Sequence, residues 1–438
     1  MVILTYGMET GFFRYAEQEK YEKDIFSTSL ISLFITSSVF ITLVWILSQP
    51  IADILGYTNN REYVIEIGLI VGIDAFTAIP FVRLRQKNKA LKFASIKITG
   101  VVLNIFLNFF LLYFIPRFNL HLKYHLIGYI YSPDIGVGYV FISNLIASIF
   151  TLILLLSEIL SIKIIINRQL WKEMIIYSLP LLIAGLAGTV NEALDRVLLK
   201  HLITGDKNPL EQLGIYGANY KIAVLMQIFI QMFRFAAEPF YFARAKEKGS
   251  LELFADVMKY FIIACMLIFL IVTLYIDIFR YFIGRNFHSG LNIVPIILYA
   301  IFLLGVFFNL SIWYKLNNMT KYGALITIFG AGITFIINWL FIPKYGYMAS
   351  AWAHFSCYFI MVIISYILGR KYYKIPYKIK TIAIYALLPV VIYKLADWLD
   401  LREIGSKLLL HTGLLIIYIF FIIALERKNI KNVLIRRT

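Results

Sequence analysis

The feature that most constrains this chain is the recurrence of apolar runs about twenty residues long. A bilayer's hydrocarbon core is about 30 Å thick and an α-helix rises 1.5 Å per residue, so one crossing takes about 20 residues. Twelve such runs follow one another, at 25–47, 63–84, 93–115, 137–157, 174–194, 215–235, 258–279, 291–313, 322–342, 347–368, 380–398 and 408–425. Strands of a transmembrane barrel would be half as long and would alternate in polarity, so the runs are helices. Only 15% of the residues are charged and 61% are hydrophobic, whereas a soluble domain carries about 25% charged residues. The fold class predicted is therefore an all-α polytopic membrane protein. A cytosolic enzyme, a secreted disulfide scaffold and a disordered tail are excluded.

The net charge of +17 then has to be explained by position. Lys and Arg accumulate in cytoplasmic loops. If the segment before the first run is cytoplasmic and sides alternate from there, that side holds 27 of the 42 Lys and Arg residues and the other side 11. The remaining four, Lys97, Lys221, Lys259 and Lys394, fall within or at the edges of runs. The bias predicts that both termini are cytoplasmic, and it accounts for the charge without a nucleic-acid partner. The connections around 116–136 and 195–214 are the longest on the outer side, too short for an extramembrane domain. Cys265 and Cys357 lie inside apolar runs with no metal spacing, so neither a disulfide framework nor a metal site is expected. The opening Met1–Met8 is apolar but too short to span, and it has neither the basic start nor the cleavage site of a signal peptide. It reads as the last turns of a helix.

A charge at mid-bilayer costs about 2.5–3.5 kcal/mol on insertion scales, so polar residues inside runs ask for an explanation. The second run holds Glu66 and Asp74 beside Gly68 and Gly72. The glycines suit close helix packing, and Asp74 either meets a base or titrates. In the third run Lys97, Gly100, Asn104 and Asn108 recur every three or four residues and share one helical face. That face lines an aqueous cavity or a polar helix interface, unless Lys97 snorkels to the headgroups. Asn144, Ser148 and Thr151 form a milder stripe in the fourth run. Glu192, Asp195 and Arg196 close the fifth, with Glu192 and Arg196 at the spacing of an intrahelical ion pair. The sixth contains Lys221, Gln227, Gln231 and Arg234. His354 is a lone histidine that either packs or relays protons. Pro180, Pro239, Pro295 and Pro389 mark kinks. Neither a nucleophile–base set nor a phosphate-binding Gly loop is present. Buried charges without such a constellation point to translocation, not bond chemistry, and no cofactor is expected.

Gly7–Lys20 (GMETGFFRYAEQEK) and Ala236–Lys248 (AAEPFYFARAKEK) both place a Glu, aromatics and an Arg just before a run. Repeated halves of transporters meet around a midplane substrate site. The second copy follows two complete runs and the first follows only MVILTY, which suggests two further helices in an undivided design. At TYGMETGFFRYA (5–16), FSTSLISLFITSS (26–38), SQPIADILGY (48–57), DAFTAIPFVRLR (74–85), LPLLIAGLAGTVNEALDRVLLK (179–200) and GIYGANYKIAVLMQIFIQMFRFAAEPFYF (214–242), the chain resembles the polysaccharide-export flippases of the MATE-like MOP superfamily, of the Bacteroidetes type. The resemblance runs through essentially the whole chain.

That resemblance implies two lobes facing each other across a cavity, here 1–160 and 165–368, with two extra helices and a basic tail at 380–438. It implies transport of undecaprenyl-diphosphate-linked oligosaccharides across the bacterial inner membrane, alongside membrane lipids and a polysaccharide polymerase or other assembly proteins. A diphosphate and its sugars need cations and amides. Lys97, Arg196, Lys221 and Arg234 are the candidate cations, with Asn104, Asn108, Gln227 and Gln231 as sugar contacts. Asp74, Glu192, Asp195 and Glu238 are candidates for gating or ion coupling. A multidrug or cation antiporter, a membrane glycosyltransferase or polymerase, and an assembly scaffold are the alternatives.

Overall fold

The computed structural model describes residues 1–118, 131–161, 165–203, 208–399 and 404–435. Parts of the connections at 116–136 and 195–214 lie outside the described residues, as do Lys163 and the end of the basic tail. No strand occurs among the described residues. Among the described residues, twelve helices are long and apolar enough to cross a bilayer. They are α1 (Ile25–Ile46), α2 (Arg61–Gln86), α3 (Ala90–Phe118), α4 (Gly138–Ile159), α5 (Arg168–Leu202), α6 (Pro209–Arg244), α7 (Ser250–Leu274), α8 (Arg285–Leu316), α9 (Thr320–Tyr345), α10 (Tyr347–Tyr372), α11 (Ile379–Leu399) and α12 (Ile404–Ile435). Each apolar run became one helix, because a backbone in lipid has to satisfy its own hydrogen bonds. The helices outreach the runs where polar flanks continue the turn. The seventh run is the exception: expected to 279, its helix stops at Leu274, and a four-residue helix, Ile276–Phe279, follows. The Leu274 carbonyl freed by that stop accepts a hydrogen bond from His411 Nδ1 at 2.5 Å, which satisfies a group that helix ends otherwise leave bare.

The chain divides into two compact units. The first comprises Met1–Leu186 and Glu238–Ala243. Here the start of the chain forms two short helices, Val2–Thr5 and Met8–Ala16. They are separated by left-handed Tyr6 (φ 33°) and Gly7 (φ 72°). Phe12 and Phe13 are buried, and the Gly7 carbonyl accepts from Ser178 Oγ on α5 at 3.2 Å. The two glycines of α2 do pack closely on α1. A Cβ at Gly68 would lie 2.6 Å from Val44 Cγ1, and one at Gly72 would lie 2.6 Å from the Ile41 side chain, so any larger residue would force the helices apart. Phe81, Leu84, Ile96 and Leu155 form a core where α2, α3 and α4 meet. At the ends of those helices Glu158 accepts from Lys92 Nζ at 2.8 Å, with Lys89 at 3.5 Å and Arg83 at 3.7 Å. α3 relaxes into a π-helical turn at Phe110–Phe114 before it finishes.

The second unit comprises Ala187–Ala237 and Arg244–Thr438. Its core is densest around α7, α8 and α10, where Phe261, Phe269, Phe302 and Trp313 are buried. α11 and α12 fasten to α7 at both of its ends. At the first, Lys259 reaches Glu426 at 2.8 Å and Asp256 at 3.2 Å. Tyr385 OH donates to Glu426 Oε1 at 2.8 Å and Tyr260 OH to Oε2 at 3.2 Å. At the second, Lys407 lies 2.6 Å from Asp277, which Arg280 also approaches at 3.2 Å. Burial alone would raise the Asp277 carboxyl, but Lys407, Arg280 and His411 outweigh it and hold the group below the usual carboxylate range.

Candidate functional site

In the first unit, the polar stripe of α3 meets α4. Asn104 Nδ2 donates to Asn144 Oδ1 at 2.8 Å. Asn108 Nδ2 donates to the Asn104 carbonyl at 2.9 Å and to Asn104 Oδ1 at 3.0 Å. Both α3 amides are half-buried. Asp74, on α2, accepts from Ser148 Oγ at 2.9 Å, so the fourth-run stripe supplies its hydrogen-bond partner. Lys97 is exposed, with Nζ 4.1 Å from the centre of the Phe81 ring. It lies in the electrostatic field of Asp74 and of Glu9. Glu9 in turn accepts from Arg85 Nη2 at 2.8 Å.

The two copies of the internal repeat pack on each other inside this unit. Thr10 Oγ1 donates to Glu238 Oε1 at 2.8 Å, and the Phe13 and Phe242 rings stack with centroids 6.5 Å apart. Glu238 therefore shares one corner of the unit with Glu9 and Arg85. Neither acid was joined to the repeat partner by spacing alone, since the copies are far apart in sequence.

In the second unit the fifth and tenth runs converge on Asp195. Its carboxylate is 0% exposed, and His354 is 2% exposed. Asp195 Oδ1 accepts from the Arg196 amide at 2.9 Å, and Oδ2 lies 3.8 Å from His354 Nδ1. Tyr216 OH is 3.1 Å from the same His354 nitrogen, and the Tyr358 ring stacks on the imidazole at 5.6 Å. Asn191, one turn before Asp195, donates to Tyr358 OH at 3.4 Å and to Cys357 Sγ at 3.6 Å. Asp195 Oδ2, Asn191 Oδ1 and His354 Nε2 are buried with no hydrogen-bond partner among the described residues. An unmet buried carboxylate oxygen is costly.

The other residues singled out in the sequence fall elsewhere. Arg196 is exposed and lies over the Tyr220 ring at 5.5 Å. The expected ion pair with Glu192 is absent among the described residues, because the guanidinium turns to the aromatic face while Glu192 stays exposed. Lys221 and Gln231 are exposed and Gln227 is half-buried. Arg234 stacks on the Phe308 ring at 3.9 Å. Asn191, Tyr216 and Tyr358 were not foreseen. The i, i+4 spacing of Asn191 and Asp195 would have linked the first of them to one helix face, whereas the tyrosines come from other helices and carry no local signal.

Residues 1–245 match the family of sequences described as "polysaccharide biosynthesis protein". No curated protein matches the chain. Among solved structures, a mutant of a Vibrio cholerae MATE transporter superposes with a TM-score of 0.69 at 12% identity, covering 84% of this chain and 85% of that one. A MATE transporter in complex with MaD3S gives 0.67 at 14% identity, covering 84% of each chain. The outward-facing form of a multidrug-resistance MATE transporter of the MOP superfamily gives 0.65 at 15% identity, over 84% of this chain and 83% of that one. At these identities the likeness is one of fold.

Proposed function

Because the chain belongs to the polysaccharide biosynthesis protein family and has the fold of MATE transporters of the MOP superfamily, we propose that it flips undecaprenyl-diphosphate-linked oligosaccharides across the bacterial inner membrane by alternating access. Family and fold point to a membrane transporter and not to an enzyme. The observation that carries the finer reading is the set of exposed cations on membrane-spanning helices. Lys97, Arg196 and Lys221 are all exposed on α3, α5 and α6, where a charge facing lipid would be expensive. A diphosphate rewards such cations. Arg234 completes the set, and Asn104, Asn108, Gln227 and Gln231 supply amides for sugar hydroxyls. The proposal takes 1–160 and 165–368 as the rocking lobes, 380–438 as an appended pair, both termini as cytoplasmic, and a polymerase or other assembly protein as neighbour. Asp74, Glu192, Asp195 and Glu238 serve in it as acids for gating or ion coupling.

The test is complementation of a host whose own flippase is deleted. Lys97→Ala combined with Lys221→Ala is expected to abolish surface polysaccharide while the protein still inserts at normal levels. Unchanged polysaccharide would overturn the cationic route. A cation antiporter is the second reading, favoured by the buried Asp195 carboxylate. It predicts drug resistance lost in Asp195→Asn with surface polysaccharide intact.

A further inference from the structure

An apolar cavity of about 200 Å³ lies in the second unit between α7, α8, α10 and the start of α11, lined by Met258, Ile262, Val306, Leu310, Ile363 and Ile379 among others. Met258, Ile262 and Leu310 are buried, whereas Ile363 and Ile379 are exposed at its mouth. It shares Leu310, Tyr366 and Tyr377 with a smaller pocket that adds Arg370, Tyr373 and Ile375. The two are thus one groove, with an apolar body and a cationic end. A groove without polar partners for water stays dry and takes apolar guests.

The charge around its end is one-sided. From Ile278 to Ala396 the chain has eleven Lys and Arg residues and no Asp or Glu. Five of them cluster around the turn between α10 and α11, Arg370 and Lys371 in the last turn of α10, Lys374 and Lys378 in the turn itself and Lys380 at the start of α11, and all five are exposed. The Arg370 guanidinium stays beside the groove, 6.0 Å from the Tyr366 ring centre. Lys315 and Lys321 stand at the same end, since Trp313 and Tyr322 both pack on Tyr372. On α7, the neighbouring acid Asp256 is held by Lys259, as is Glu426 of α12.

The geometry points to a bound anionic phospholipid, with one acyl chain in the groove and its phosphate at Arg370 and the flanking lysines. A long hydrocarbon chain fits the apolar body. A phosphodiester fits a cation cluster with no carboxylate in its own stretch of chain. The lipid would fasten α11 to α7, α8 and α10 beside the connecting turn. This site stands apart from the cations proposed for transport.

The full chain is placed in nanodiscs of phosphatidylcholine with or without phosphatidylglycerol, and retained lipid is counted by native mass spectrometry after detergent exchange. Wild type is expected to keep one phosphatidylglycerol and to gain thermal stability from it, with phosphatidylcholine lost. Arg370→Gln combined with Lys374→Gln lowers retention about tenfold, and Arg370→Lys restores part of it. Ile363→Trp, which fills the mouth, removes the lipid while helicity is kept; Ile379→Phe serves if that variant does not fold. Equal retention of phosphatidylcholine, or unchanged retention in the Arg370→Gln/Lys374→Gln protein, overturns the proposal. Protection by glycerol 3-phosphate alone also overturns it, because a headgroup site then suffices without the groove.

Discussion

Two buried acids of the second unit are built in opposite ways. Glu426, 4% exposed, meets Lys259, Tyr260 and Tyr385 with donor distances of 2.8, 3.2 and 2.8 Å. Asp195, 0% exposed, has one backbone donor, and its second oxygen faces an imidazole at 3.8 Å. The first is a saturated cluster in which every contact favours one charge state. The second leaves Asp195 Oδ2 and His354 Nε2 buried without a hydrogen-bond partner among the described residues. Saturation makes a rivet, whereas a buried acid left incompletely satisfied asks for another explanation.

The largest expected effect breaks the rivet. Lys259→Met strands the Glu426 charge and should cost about 3–5 kcal/mol, read as a lowered thermal midpoint in detergent. Lys259→Met with Glu426→Met should recover most of that loss, since apolar replacement of both partners is close to neutral. If the double variant is no better than the single one, the pair is not what fastens α12. Asp195→Asn should move stability by less than about 1 kcal/mol, because an amide removes a poorly solvated charge. It should nonetheless impair transport, which His354→Gln should also do. A large stability loss in Asp195→Asn would place that acid with the rivets.

The smallest effect concerns the far end of α7. Asp277 is held below the usual carboxylate range by Lys407 and its neighbours. A depressed folded value means the stabilisation is complete above the unfolded carboxyl pKa of about 3.9. It then disappears as pH falls through the folded value. Lys407→Ala should therefore flatten the acid limb of a stability–pH curve while leaving stability at neutral pH slightly lower. The group is partly exposed, so the change should be modest.

The helices were legible because the bilayer imposes their length on the sequence, one run at a time. Gly68 and Gly72 could also be read in advance, since a G-x-x-x-G pair states a packing distance within a single helix. The site was legible only in its members. Asp195 announces itself as an acid at the close of the fifth run, yet nothing local says that His354 stands beside it. Tyr216 meets that histidine from 138 residues away, and Lys259 meets Glu426 from 167. Lys259 falls within or at the edge of a run, and Glu426 lies just past the last one. Spacing along one helix reveals which face a residue shares, but tertiary proximity decides its partner.

The separation of Lys259 from Glu426 also sets an order of events during synthesis. When α7 leaves the ribosome its lysine has no counterpart except Asp256 on its own helix, and the carboxylate that completes it is made only with α12. Until α12 is in place Lys259 has only Asp256 to answer its charge, so the cluster around Glu426 closes only once the last helix has been inserted.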